Sequence, residues 1–479
     1  MKKTLIALAS VAALGAAHAD VTLYGLIDLS VVHNSAGVQS DPNNPGNTNF
    51  LVNPTTSPPG TALSQNPVAT PGTYSGATSM GSGALSASRW GIKGTEDLGG
   101  GMKAGFTMEA ALNAATGTNP NDHALLAAGT AFNSGSGDAS ANGQMFARQA
   151  TVDLSGGFGL LTMGRQATAE RNATNEIDIL ESAGISPIGF YGGFTGMGSS
   201  YTQVADNSLK LTTPLGSMGK FIGFYSFGGT AGSQAGSQYG ATVMFNPTST
   251  VELIGNFGRM YDNVAYGSSP VTGVVGGNNG YYSGAATTAT SLPVTSRLSA
   301  TYYDSTEAVF GAKIQATENL TLKVGFITVS QQNPSNPTYD ATQTQNLGIP
   351  VAPTTNAYNS TFNRTLTTVG AKYDVSGTDH LTFAGYQINY HSYNGYTTSG
   401  AVQAATNAVG GVYSVASSAI NTYDFVYDHD LSKKTDVYAA LVVQQFPSTS
   451  STNNAQSFVA LGNLGLNAST VAVGLRTRF

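Results

Sequence analysis

Few side chains in this sequence are suited to catalysis, and their placement argues against it. Charged residues make up 10% of the 479 residues, and cysteine is absent. None of the histidines after residue 19 lies in a zinc-binding H-E-x-x-H pattern or a G-x-S-x-G nucleophile turn. A hydrolase needs a nucleophile, a base and an orienting group in contact. We therefore expect no catalytic residue, no metal site and no cofactor. The five histidines are His33, His123, His380, His391 and His429.

Charge is instead concentrated in one polar stretch, residues 167–205. Seven other long polar stretches together hold five acidic residues and no lysine or arginine. Fixed charges beside a narrow passage orient polar solutes and discriminate between ions. The other interpretation is an acidic surface loop in contact with solvent. The charged residues of this stretch are Glu170, Arg171, Glu176, Asp178 and Glu181.

The segments that would position these charges alternate between apolar and polar residues. From Val21, "VTLYGLIDLSVV" alternates, and from Met102, "MKAGFTMEA" sets apolar residues against lysine and glutamate. The final "VAVGLRTRF" places Arg476 and Arg478 on one face and Phe479 on the other. A period of two predicts β-strands with one apolar face. Alternation alone leaves open whether the polar face meets solvent in a sandwich or lines the lumen of a membrane barrel.

Turn spacing favours the barrel. Seven short turns rich in Gly, Pro, Asn and Asp alternate with eight long connections, which gives sixteen strands and puts both ends of the mature chain on the short-turn side. We predict an all-β fold over residues 20–479: a 16-stranded antiparallel transmembrane β-barrel with short periplasmic turns and long external loops. The strand near residues 306–316 is the least regular. The turns begin at Glu96, Ser155, Pro214, Asn246, Ala316, Asp374 and Asp428.

The start of the chain predicts export. Lys2 and Lys3 precede a short apolar run that ends in Ala17-His18-Ala19, so residues 1–19 form a predicted signal peptide. Its removal changes the net charge from -6 to -8, because two lysines leave. No basic patch follows, so we expect no nucleic-acid partner. Without disulfides, closure of the barrel would supply stability by pairing every strand edge.

Several blocks resemble general porins of the β-proteobacterial outer membrane. They are "DVTLYGLIDLSV", "SRWGIKGTEDLGGGMKAGFTME", "FARQATVDLSGGFGLLTMGRQ" and "ADNSLKLTTP", with the terminal Phe479. The resemblance implies a homotrimer in a Gram-negative outer membrane, in contact with lipid and lipopolysaccharide. It implies a water-filled pore for small hydrophilic solutes, narrowed by an inward-folded third loop. It also implies that the barrel-assembly machinery reads Phe479, which could equally be an interfacial aromatic.

This resemblance and the alternation together predict a charged constriction. By alternation Arg89, Lys93 and Lys210 point into the lumen, whereas Arg148 would point to lipid. The resembling porins carry the arginine of that block on the pore wall, which here requires a bulge or a rim position. Each cation could instead be solvated at the rim or hold the loop by a salt bridge. The predicted set is Arg89, Lys93, Arg148, Arg165 and Lys210, facing Glu170, Glu176, Asp178 and Glu181.

Two further expectations concern selectivity and the alternative function. Many resembling porins carry an arginine where this chain has Val204 and Ala205, which counts against strong anion preference. The four loop acids and the net charge of -8 favour cations weakly. The alternative to a porin is a plugged or narrow outer-membrane barrel that acts as an adhesin or structural protein.

Overall fold

The strands pair antiparallel with their neighbours, and the first strand also pairs with the last. These features come from a computed structural model. It describes residues 20–35, 77–117, 145–190, 204–228, 234, 236–265, 298–332, 335, 361–396, 412–415, 417–445 and 467–479. The predicted signal peptide lies outside the described residues and stays a prediction.

The elements follow the predicted all-β pattern. The strands are β1 Asp20–Asn34, β2 Ala77–Ser82, β3 Arg89–Gly99, β4 Met102–Ala111, β5 Gln149–Gly156, β6 Gly159–Ala167, β7 Val204–Pro214, β8 Gly219–Ser226, β9 Gln238–Thr248, β10 Val251–Ala265, β11 Leu298–Thr317, β12 Leu320–Gln332, β13 Phe362–Asp374, β14 Asp379–Tyr390, β15 Tyr393–Tyr396, β16 Val412–Val415, β17 Ser418–Asp430, β18 Thr435–Gln445 and β19 Asn467–Arg478. The helices are α1 Ala169–Ile177 and α2 Pro187–Phe190, with a 3-10 turn at Gly216–Met218. Among the described residues, no helix is long and apolar enough to cross a membrane.

Seventeen strands of the main sheet occupy sixteen places around a closed barrel. Strand β2 pairs with the end of β1 from Leu29 to Asn34, and β3 pairs with β1 from Asp20 to Leu26, so the two share one place. Pairing of β1 with β19 closes the ring. Strands β15 and β16 form a separate two-stranded ribbon. The predicted 16-stranded antiparallel barrel is confirmed.

The seven predicted short turns each join two strands that pair with each other. The turn between β3 and β4 shows why glycine is needed, since Gly100 and Gly101 have φ of 63° and 81°. The least regular predicted strand is β11, which starts at Leu298 and is longer than expected. Its pairing with β10 shifts near Tyr261, and such shifts blur a period-two pattern.

The two faces of the wall differ as a membrane barrel requires. Across β10, β11 and β12 the exposed outward residues include Phe257, Phe310 and Phe326. The inward positions of β11 include the buried polar residues Ser305 and Glu307. Since the apolar face is outside and closure leaves no unpaired edge in the sheet, the sandwich interpretation is excluded and the polar face lines the lumen.

Candidate pore constriction

Helix α1 follows β6 and lies against the inner wall. The Thr168 side chain caps its first turn by accepting a hydrogen bond from the Arg171 N–H at 3.2 Å. The Thr242 hydroxyl of β9 donates to the Ala169 carbonyl at 2.9 Å, and the Gln238 amide donates to Glu170 at 3.2 Å. These bonds attach the start of the helix to β9.

A lysine from the wall holds the other end of α1. The Lys323 ammonium of β12 donates to the carbonyls of Asp178 at 2.9 Å and Asn175 at 3.4 Å. The last carbonyls of a helix have no intrahelical partner, and a cation there also complements the helix dipole. Between the two ends, Ile177 is fully buried against the wall. The third long connection is therefore folded inward along β9 to β12 over its described part.

Asp178 was predicted to line the constriction, but its carboxylate is fully buried. It accepts hydrogen bonds from the Ser182 N–H at 2.8 Å, the Ser186 hydroxyl at 2.6 Å and the Tyr386 hydroxyl at 2.6 Å. It thereby shapes the bend after α1, where Glu181 adopts a positive φ of 53°. A carboxylate enclosed by donors cannot contact a passing solute, so Asp178 positions the loop instead.

Glu170 is also fully buried, between α1 and the wall, and does not line the passage. Sequence alone gave no sign of this, because the residues that cover Glu170 come from β9 and later strands. Glu176 is half-buried and Glu181 is exposed, so these two loop acids remain on the open side.

On β3 and β4, a second group forms around a glutamate that the sequence analysis did not select. Arg148 Nε lies 2.7 Å from Glu109 Oε1, and Arg89 Nε lies 3.8 Å from Glu109 Oε2. The Tyr24 hydroxyl donates to Glu109 at 2.9 Å. The side chains of Arg89 and Arg148 are 31% and 22% exposed, so one carboxylate is shared by two accessible guanidinium groups. The signal was present, since Glu109 lies on the polar face of its strand.

Arg148 reaches this group through an irregularity at the start of β5. Its N–H donates to the Glu109 carbonyl at 3.2 Å, although Glu109 pairs with Gln149. Two consecutive residues thus lie opposite one, as in a β-bulge, which re-aims a side chain that alternation would send outward.

Of the remaining predicted cations, one is exposed, one fastens the loop and one braces the wall. Lys93 is exposed, 5.3 Å from the centroid of the Tyr24 ring. The Lys210 ammonium donates to the Ala167 carbonyl at 3.1 Å, at the start of the loop. Arg165 is buried and forms a 2.8 Å ion pair with Asp206, so it braces the wall and does not face the passage.

Strand order places the arginine group opposite α1. Strands β3, β4 and β5 occupy the second to fourth places counted from β1, and β11, β12 and β13 the tenth to twelfth. Places eight apart in a ring of sixteen are diametrically opposed. The arginine group therefore faces the wall that holds the end of α1 and the bend after it.

An ionic network crosses the seam where the barrel closes. Arg476 of β19 forms 2.9 Å ion pairs with Asp428 and Asp436, and it donates to the Ser86 hydroxyl at 2.9 Å. The carboxylates of Asp428, Asp430 and Asp436 lie within 4.8 Å of one another, the one such acidic group found among the described residues. Arginine supplies the positive charge that a metal ion would provide there.

The chain end also belongs to this seam. The Phe479 N–H donates to the Gly25 carbonyl at 3.1 Å, and the Gly25 N–H donates to the Phe479 carbonyl at 3.2 Å. The ring covers Gly25 on the outer face, where a side chain at position 25 would collide with it.

The described histidines lie outside the constriction region. His380 and His429 contact the carboxylates of Asp374 and Asp379 at the short-turn rim, at 2.6 and 2.9 Å. His33 bonds to Thr78 at 2.8 Å near the opposite end of the barrel. His123 lies in a part of the chain that the structure does not describe.

A closed sixteen-place barrel with an inward loop and facing charges defines a transmembrane barrel protein. The family model described as Gram-negative porin matches residues 4–446, so the chain belongs to this family and to the outer membrane of a Gram-negative bacterium.

The chain is 29% identical over 281 residues to outer membrane porin protein 32 of Delftia acidovorans, covering 58% of this chain and 59% of that protein. It is 32% identical over 232 residues to an outer membrane porin protein of Bordetella pertussis, covering 47% and 48%. The matches thus span about half of these relatives' length.

Solved structures give the same fold. The anion-selective porin from Comamonas acidovorans superimposes with a TM-score of 0.57 at 18% identity, over 96% of this chain and all of that one. OmpT of Vibrio cholerae gives 0.52 at 10% identity, over 96% and 98%. At such identities the likeness concerns the fold alone.

Proposed function

We propose that this chain forms a water-filled channel for passive diffusion of ions and small hydrophilic solutes across the outer membrane. The observation that carries the proposal is the position of α1, which is fastened to one side of the barrel opposite the accessible arginines Arg89 and Arg148. Charges of opposite sign on facing walls orient a polar solute and favour it over an apolar one. Family membership supports the same function.

The accessible charges are balanced and no longer favour cations. The weak preference for cations expected from the sequence rested on four loop acids, and two of them, Glu170 and Asp178, are fully buried. Lys93 and the two arginines then face Glu176, Glu181 and the shared Glu109.

The assembly and its partners are part of the proposal. We infer that the barrel is embedded in lipid and lipopolysaccharide, because its apolar outer face requires such neighbours. Membership of the porin family supports a homotrimer. Phe479 would serve the barrel-assembly machinery, and its pairing with Gly25 at the seam supports that role. No step in this proposal needs a catalytic residue.

Conductance in planar bilayers tests the function. The purified protein is expected to give stepwise conductance increments, and a salt gradient gives the sign of selectivity from the reversal potential. A plugged adhesin would give no increments, which would overturn the proposal.

Neutralising the two open loop acids tests the constriction. We expect Glu176→Gln with Glu181→Gln to make the channel more anion-selective, because both carboxylates oppose the arginines. The matched control, Glu96→Gln with Glu318→Gln, removes two acids next to short turns. A reversal potential that moves equally in both double variants, or in neither, would remove Glu176 and Glu181 from the passage.

A further inference from the structure

We propose that glycines on the inner wall set the width of the constriction, because they let the third loop pack directly against the strand backbone. The positions are Gly240, Gly311, Gly325 and Gly370, on strands β9, β11, β12 and β13, and we call them the glycine groove. They act as positioning residues, because none needs to contact a solute. The proposal rests on the proposed channel function and names residues that determine its size limit.

Gly325 makes the strongest case. A Cβ at this position would lie 2.5 Å from Ile177 Cδ1, 3.0 Å from Cγ1 and 2.8 Å from Cβ. The Cβ of Ile177 is fixed to the helix backbone, so no rotamer change relieves that contact. Apolar carbons settle at about 3.5–4.0 Å. A methyl group at position 325 would therefore have to move the end of α1 itself, by about 1 Å.

Gly370 repeats the arrangement one strand further on. A Cβ there would collide with Ile179 at Cγ2 and Cβ, and Cβ is again fixed to the backbone. Gly311, paired with Gly325, also lies under Ile177. Gly240 lies under the carboxylate of Glu170.

Glycine in a strand interior weakens the strand and often marks the close approach of another segment. Two other strand glycines of this barrel lack such a neighbour: Gly255 has no atom within 4 Å of its potential Cβ, and Gly385 has only ordinary contacts. The close contacts of Gly25 and Gly474 are to the side chains of Phe479 and Tyr438, and not to the loop. The glycines with severe contacts to loop residues 170–179 lie on the wall that carries α1. Close packing of the loop against the strand backbone explains why this wall carries glycine at these positions.

The attachments at both ends of α1 determine the direction of any displacement. The start is bonded to Thr242 of β9, and the end to Lys323 of β12. A helix held at both ends and pushed from the wall between them moves toward the lumen. Added methyl groups in the glycine groove should therefore narrow the passage.

Two kinds of substitution test this inference: one enlarges a glycine of the groove, and the other reduces the loop side chain that it contacts. We expect Gly325→Ala to lower the single-channel conductance, and Gly325→Val to lower it further. Ile177→Gly combined with Gly325→Ala should restore most of the wild-type value, because removal of the Ile177 Cβ makes room for the methyl group. Gly255→Ala, on the outer face in open space, is the matched control and should match the wild type.

Conductance per channel does not depend on how much protein assembles, so a simple stability defect would not imitate the result. If Gly325→Ala prevents assembly, recovery of channels in the double variant with Ile177→Gly supports the inference. The pair Gly370→Ala and Ile179→Gly repeats the test at the next strand. Wild-type conductance in Gly325→Ala, or a loss that neither paired reduction restores, overturns the inference. Absence of conductance in the wild type would instead overturn the channel function.

Discussion

Two opposed walls of one barrel carry charged residues that do different work. On β9 to β14 the polar groups are buried and hydrogen-bonded to the loop, as at Lys323 and Tyr386. On β3 to β5 the side chains of Arg89 and Arg148 are partly exposed and share one carboxylate. The first wall supports the loop, and we propose that the second presents charge to the passage. The type and spacing of charged residues in the sequence therefore do not show whether a residue supports the loop or faces the passage.

The largest expected effect concerns the wall that supports the loop, β9 to β14. Asp178→Ala removes the acceptor of four described hydrogen bonds and leaves buried donors unpaired, at about 1–3 kcal/mol for each buried donor left unpaired. We expect the loop to detach, which gives noisy and variable single-channel currents. The control is Asp97→Ala, whose carboxylate bonds only locally, to Gly99, in an exposed turn. Quiet wild-type channels in Asp178→Ala would contradict the assignment of this wall as a support.

A smaller effect is expected on the opposite wall. Glu109→Gln removes the charge that Arg89 and Arg148 share, so anion preference should rise without added current noise. A unit charge acts with about 0.5 kcal/mol on an ion 8 Å away in water, which is roughly a twofold change in permeability ratio. Reversal potentials in a salt gradient measure it. An increase in noise with unchanged selectivity would show that this group also supports structure.

The smallest expected effect is a dependence of loop docking on pH. Burial raises the pKa of Glu170 to about 7. The groups around it are Gln238 of β9, Asn256 of β10 and Glu307 of β11, with Arg364 of β13 beside Glu307. A raised carboxyl pKa means that the docked loop holds the proton more tightly than the released loop. Docking is therefore strongest below the ordinary pKa, near 4.5, and weakens as pH rises to about 7.

Channel noise should accordingly be lower at pH 5 than at pH 8, and Glu170→Gln should reduce this difference. Glu176→Gln, on the open side of the same helix, is the control and should keep the wild-type profile. If both variants behave alike, the docking of α1 does not depend on the protonation of Glu170.

Local rules predicted much of the fold. Period-two alternation gave the faces of β1, β3 and β4, and turn chemistry gave all seven short junctions between paired strands. Arg148 shows the limit of these rules. Alternation pointed its side chain to lipid, in conflict with the resemblance, and only the β-bulge in the structure explains why it points to the lumen. Glu170 and Asp178 show a second limit. Asp178 is buried by Tyr386, 208 residues away in the sequence, and no local pattern reports that contact.

The sequence by itself determined the sixteen places of the wall, the apolar faces of its strands and the concentration of charge in residues 167–205, because these follow from neighbours along the chain. The tertiary structure decided which charges face water. Closure of the barrel brings β9 to β14 against the third loop. The glycine groove lets the loop pack closely enough against this wall to bury Glu170 and Asp178. Burial depends on groups that meet only after closure, so alternation could not assign it.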